Sequence, residues 1–226
     1  VWSIIVALTK YNFNSFDVTT AASKALGFNS SANGLTTISP GSMTLIKTLT
    51  ASSSSTLSFV DGSSSVVLDN TYPVYMFKFI NIHAATQDKV FQFNMSADTG
   101  SNYNVTKTTT AFYSYHAEDD SSTGLGYTNG SDVAQSTGFA QIANDATSTD
   151  NDAGMSGEMF LFNPSSTTFV KHFISRSSYF DYTNLAYDRY IAGYGNTTSA
   201  VDAIQFKFSS GNIDAGTIKL YGIKDS

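Results

Sequence analysis

Cysteine is absent from the 226 residues. That excludes a disulfide framework and any thiolate chemistry, so stability rests on packing and hydrogen bonds. Charge is also scarce: 13% of residues, against about a quarter in an ordinary globular chain. The twelve Lys and Arg are scattered singly and the net charge is −6. A nucleic-acid binder carries a basic patch or stripe, so nucleic acid is not an expected partner. Glutamate occurs only as Glu118 and Glu158.

Long apolar runs are missing as well. The longest, Ile4-Ile5-Val6-Ala7-Leu8, falls far short of the roughly 20 residues a membrane helix needs. It also lacks the basic flank and cleavage site of a secretory signal. No G-x-S-x-G nucleophile elbow and no G-x-x-x-x-G-K phosphate loop occurs. No period of 20–50 residues marks a solenoid or propeller.

What the chain does have is aromatics and hydroxyls. Phe and Tyr number 17 and 13, and Ser plus Thr make up about a quarter of the residues, well above ordinary usage. Disordered chains lack aromatic and β-branched residues, so the composition describes a folded β protein with polar loops.

The clearest pattern lies at the end. In Ala203-Ile204-Gln205-Phe206-Lys207-Phe208 apolar and polar residues alternate strictly, as in a half-buried strand. A Ser/Gly/Asn loop follows, and then Thr217–Ile223 with Ile218 and Leu220 inward. The pair reads as a β-hairpin with a long loop. Tyr72 to His83 is apolar on both faces, with Tyr75, Phe77 and Phe79 on one side, and is expected at the centre of a sheet. Thr56–Val60 and Ser65–Leu68, joined by Asp61-Gly62, read as a second hairpin. Asp17 to Gly27 has helical spacing, with Asp17 to cap its start and Gly27 to end it. Glu118 to Asp152 carries little strand signal.

About ten short strands with regular turn signals predict an all-β fold. The expectation is a two-sheet antiparallel β-sandwich of jelly-roll type with one short helix near the N-terminus. Residues 1–41 form an N-terminal strand, helix and loop, read as an assembly arm; residues 42–226 form the sandwich.

Chemistry is sparse. His83, His116 and His172 lack metal-ligand spacing and read as structural. A glycosidase needs two suitably spaced carboxyls; Glu158 has no evident partner. Asp145, Asp150 and Asp152, with Asn144 and Asn151, form an oxygen-rich loop. It suits either Ca²⁺ or plain solvation, since the distal Glu of a calcium loop is missing. No cofactor is called for. Tyr179, Tyr182, Tyr187, Tyr190 and Tyr194 read either as an exposed aromatic platform for protein or sugar, or as core.

Three segments carry a resemblance: Phe79-Ile80-Asn81-Ile82-His83-Ala84-Ala85, Gly157 to Phe173, and Phe208 to Ile223 with its ending Gly216-Thr217-Ile218-Lys219-Leu220-Tyr221-Gly222-Ile223. They are similar to segments of virion structural proteins of tailed bacteriophages from marine and freshwater habitats. The likeness runs from about Ser42 to Ile223 and rests on strand and turn patterns. It implies a non-enzymatic capsid decoration or tail-appendage subunit, made in the host cytoplasm and located in the virion. Its expected partners are copies of itself, as a trimer, and other virion proteins. The alternative is a tail-fibre or spike module recognising host-surface glycan; a polysaccharide depolymerase is the third reading.

Overall fold

Phe206 is the hub around which two sheets meet. Its ring lies 5.3 Å from those of Phe77 and Phe79, 6.1 Å from Phe91, and 6.4 Å from Phe59 and Phe93. Most of these contacts are edge-on or tilted, as the ring quadrupole favours. Phe77 and Phe79 belong to one sheet; Phe59, Phe91, Phe93 and Phe206 belong to the other.

The computed structural model describes residues 25–28, 31, 34–38, 42–143, 148–151 and 153–224. Every regular element among them is a strand: β1 (Ala25–Phe28), β2 (Leu35–Ile38), β3 (Met43–Thr50), β4 (Leu57–Val60), β5 (Val74–Ala84), β6 (Phe91–Ser96), β7 (Lys107–Ala117), β8 (Thr123–Tyr127), β9 (Ala140–Gln141), β10 (Met155–Phe162), β11 (Lys171–Phe180), β12 (Leu185–Gly195), β13 (Ala203–Phe208) and β14 (Ile213–Ile223). All pairings between them are antiparallel.

The chain divides into two compact units between Ser42 and Met43. The first holds the β1–β2 pair. The second holds an eight-stranded sheet, ordered β3-β14-β5-β10-β11-β12-β7-β8, and a four-stranded sheet, ordered β4-β13-β6-β9. Their inner faces share one aromatic interior, giving a sandwich-like all-β fold. The pairing is nested: β3 with β14, β4 with β13, β5 with β10, and β6 with β9. The segment β7–β8 is inserted after β6, and β11–β12 after β10, and both widen the large sheet.

Two expectations need correction. The N-terminal helix is not seen. Its last residues, Ala25–Gly27, are strand and pair with Thr36–Ile38, while Asp17 to Lys24 lie outside the described residues. Tertiary pairing there overrides a weak local helical pattern. The C-terminal pair is not a hairpin either. β13 pairs with β4 and β6, β14 with β3 and β5, so the Ser209–Asn212 link crosses from one sheet to the other. Both strands turn an apolar face inward, and those faces oppose each other across the core.

β5 is interior to the large sheet, as its two apolar faces predict. Tyr75, Phe77 and Phe79 are buried inward. Asn81 then adopts φ 49° at a register shift, which brings Ile82 inward also. Asp61-Gly62 turns as predicted, with Gly62 at φ 73°, but Val66–Leu68 is not a paired strand. No helix among the described residues is long and apolar enough to cross a membrane.

Candidate functional site

Strand alternation sends every second side chain of the large sheet to its outer face, away from the aromatic core. Cross-strand register lines up two rows there. One runs Tyr221, Met76, Phe160, Ile174, Ala192. The next runs Lys219, Lys78, Glu158, Arg176, Tyr190, Phe112, Tyr127. The first is apolar across five strands; the second is charged at one end and aromatic at the other. Ile174 and Phe112 are about half exposed, at 48% and 46%.

The aromatic end is ordered by stacking and charge. Phe112 lies flat on Tyr190 at 4.8 Å and 5°. The Arg176 guanidinium sits 5.1 Å from the Tyr190 ring centroid and grips Asp188 bidentately at 2.8 and 3.0 Å. Asp188 holds the Arg176 guanidinium even more firmly protonated than usual. Between Phe112, Phe160, Ile174 and Tyr190 lies an apolar groove of about 340 Å³.

A second concavity, of about 590 Å³, lies at one end of the large sheet, lined by Asn81, Ser156, Ser178, Phe180 and Asp214 around His83. It forms where three register shifts interrupt β5, β10 and β14. Gly216 permits the last of these at φ 112°; a Cβ there would sit 2.4 Å from the Asn81 carbonyl oxygen. His83 Nε2 lies 3.0 Å from the Asp150 carbonyl oxygen, so that nitrogen carries a proton, and Nδ1 lies 3.6 Å from Asp214 Oδ2. His116 contacts Asp120 at 3.1 Å, and among the described residues neither His83 nor His116 has a Ser or Thr hydroxyl hydrogen-bonded to its ring.

Comparison with protein-family models, with curated proteins and with solved structures returns no match to this chain. The reading therefore rests on the residues themselves.

Four of the five tyrosines are divided between the two faces of the large sheet, and the fifth lies in a turn. Tyr179 is buried on the inner face and stacks on Tyr187 at 4.9 Å and 7°. Tyr187 also meets Tyr113 and Tyr115, each at 5.7 Å, and burial pushes its hydroxyl pKa up to about 12. Tyr190 and Tyr194 are on the outer face, Tyr194 beside His172. Tyr182 is exposed in the β11–β12 turn. Parity gave a usable signal: 187 is odd while 190 and 194 are even, and they share one strand.

Of the three aspartates considered for Ca²⁺, Asp145 and Asp152 lie outside the described residues. Asp150 accepts the Ser148 hydroxyl at 2.9 Å. Among the described residues no three His, Asp or Glu side chains converge as metal ligands.

Three buried cations escaped sequence reasoning. Lys107 donates to the carbonyls of Val105 and Gly138 at 3.0 and 2.6 Å, and desolvation lowers its pKa to about 8. Lys171 donates to the carbonyls of Ser166, Phe169 and Thr197. Arg189 is 1% exposed, and none of its guanidinium nitrogens has a hydrogen-bond partner among the described residues. None of the three has a carboxylate partner among the described residues.

Proposed function

We propose that this chain is a non-enzymatic structural component of a bacteriophage virion, a capsid decoration or tail-appendage subunit. On this reading its core is a jelly roll and its widened sheet is an assembly surface. The observation that carries the proposal is the nested pairing of eight strands into the groups β3-β14-β5-β10 and β4-β13-β6-β9. First pairs with last, second with second-last, third with third-last, and the middle two with each other. A double ribbon rolled up in this way is the jelly roll that viral capsid proteins use repeatedly. The hairpins β7–β8 and β11–β12 extend one wall beyond what the roll needs. Their outer residues, Phe112, Ile174 and Tyr190, leave aromatic and aliphatic surface suited to neighbours. The segments resembling phage virion proteins fall mostly on β5, β10, β11 and β14, within the roll and its extension.

Its partners are then copies of itself and adjoining virion proteins, and its location is the particle. The test is proteomics of gradient-purified particles with immunogold microscopy using antibody to this chain. Stoichiometric presence and gold on particles are expected; absence from particles overturns the reading. A second reading, glycan binding, is favoured by the polar concavity around His83 and Asp214. It predicts glycan-array binding that is lost in Asp214→Ala.

A further inference from the structure

Sheet edges are a liability unless guarded, because they present unpaired amides and carbonyls. In the four-stranded sheet the edges are short: β4 has 4 residues and β9 has 2. At one edge of the large sheet, β3 carries Lys47 and a register shift. The other edge, β8, is five residues long and carries neither a charge nor a bulge to guard it. Its sequence is Thr123-Gly124-Leu125-Gly126-Tyr127, with no charge, no proline and no register shift.

Its polarity is fixed by its neighbours. Ala117 N donates to Ser122 O at 2.8 Å, and Thr128 N donates to Ala111 O at 3.1 Å. Register places Tyr115 opposite Gly124 and Tyr113 opposite Gly126. Alternation then turns the amides and carbonyls of residues 122, 124, 126 and 128 toward β7. Those of Thr123, Leu125 and Tyr127 point outward, with no partner among the described residues.

The strand reads almost identically in both directions about Leu125. We infer that β8 pairs antiparallel with β8 of a second copy of this chain about a two-fold axis at Leu125. In that register Leu125 faces Leu125, Thr123 faces Tyr127, and Gly124 faces Gly126. All three outward amide–carbonyl sets are satisfied in each copy, and no charged residue of β8 is brought opposite a like charge. The apolar side chains of Leu125 and Tyr127, 79% and 51% exposed, extend the aromatic row of Phe112 and Tyr190 across the axis. On the inner face Gly124 has no room for a side chain and Gly126 fits closely. A Cβ at 124 would lie 2.5 Å from Tyr115 Cε1, and one at 126 would lie 3.2 Å from the Tyr113 hydroxyl.

The contact is isologous, as most homodimers are; a trimer needs another surface. Five paired residues bury less than a free-standing interface of about 1,200 Å², so the dimer is weak in solution. It gains strength where a particle raises the effective concentration. In that respect the inference rests on the virion reading, although its test does not.

The chain lacks cysteine, so a single introduced thiol reports cleanly. Leu125→Cys is expected to give a disulfide-linked dimer on mild oxidation, while Thr110→Cys, exposed on the same face but on β7, one strand in from the edge, stays monomeric. Sedimentation over a concentration series is expected to show reversible dimerisation of the unmodified chain. Leu125→Pro, which removes an outward N–H that β7 does not use together with the leucine side chain at the axis, weakens that dimer at least tenfold while the chain keeps a cooperative melt. The inference is overturned if the chain is monomeric throughout and Leu125→Cys stays a free thiol. It is equally overturned if Leu125→Pro, folded, dimerises as well as the parent. Particles that contain the protein while the chain is monomeric and Leu125→Cys stays a free thiol would overturn the edge pairing and leave the virion role standing.

Discussion

The buried cations are where single residues determine stability. A guanidinium removed from water without a partner costs several kcal/mol, and Arg189 is buried with no hydrogen-bond partner among the described residues. Arg189→Leu keeps the volume and removes the charge. It is expected to raise stability to chemical denaturation by about 1–3 kcal/mol; a loss would mean that the guanidinium is solvated or paired. Lys107 makes a pH-dependent contribution. Its folded pKa, about 8, lies below the 10.5 of the unfolded chain. Between those values the unfolded state binds more protons, so stability rises with pH across the window. Below pH 8 the full penalty for charging the buried amine is present. Tyr187 opposes this at higher pH: its pKa is raised to about 12, so the unfolded chain ionises first and stability falls above pH 10. Tyr75 is shifted in the same direction by burial. The denaturation midpoint is therefore expected to rise from pH 8 to a maximum near pH 10 and then decline. Lys107→Met should flatten the rising limb; an unaltered limb would show that Lys107 is not its source.

At the level of elements, the sequence made strands legible and pairings illegible. Period-2 alternation identified β13 and the inner face of β14, because burial on one face leaves that pattern wherever the strand sits. The sheet each strand joins depends on residues far away in the chain, such as Ser96 and Val60 for Ala203. A hairpin was the natural expectation for two neighbouring strands, yet the link crosses the core. β8 went unseen for a different reason. Two of its five residues are glycines, which depress β propensity, and they are there because Tyr113 and Tyr115 occupy the space a Cβ would need. The same kind of nonlocal cause hid the concavity at His83, which is assembled from bulges in three strands. The tyrosine platform had the opposite fault: the residues were conspicuous, but the sheet passes between them.

For the whole molecule, nesting first with last makes folding close to all-or-none. β14 enters the large sheet between β3 and β5, so the final strand separates two early ones. Ile213, Ile218 and Leu220 are all fully buried there. Without β14, β3 has no partner and the inner face of β5 loses one wall, which exposes Phe77 and Phe79. Contacts between residues some 170 positions apart, such as Leu49 with Ile218, must also form late, because loop-closure entropy precedes their reward. A chain ending at Asn212 is therefore expected to be insoluble or to lack a cooperative melt. A chain beginning at Met43 should melt like the parent, since the first unit is compact by itself. Refolding followed by far-UV circular dichroism should be slow, in the range of milliseconds to seconds or longer. If the Asn212-truncated chain were soluble with a sharp transition, the four-stranded sheet and the β10–β12 and β7–β8 extension would constitute a domain without the nested closure. The nested pairing would then be a late addition to the fold rather than its organising principle.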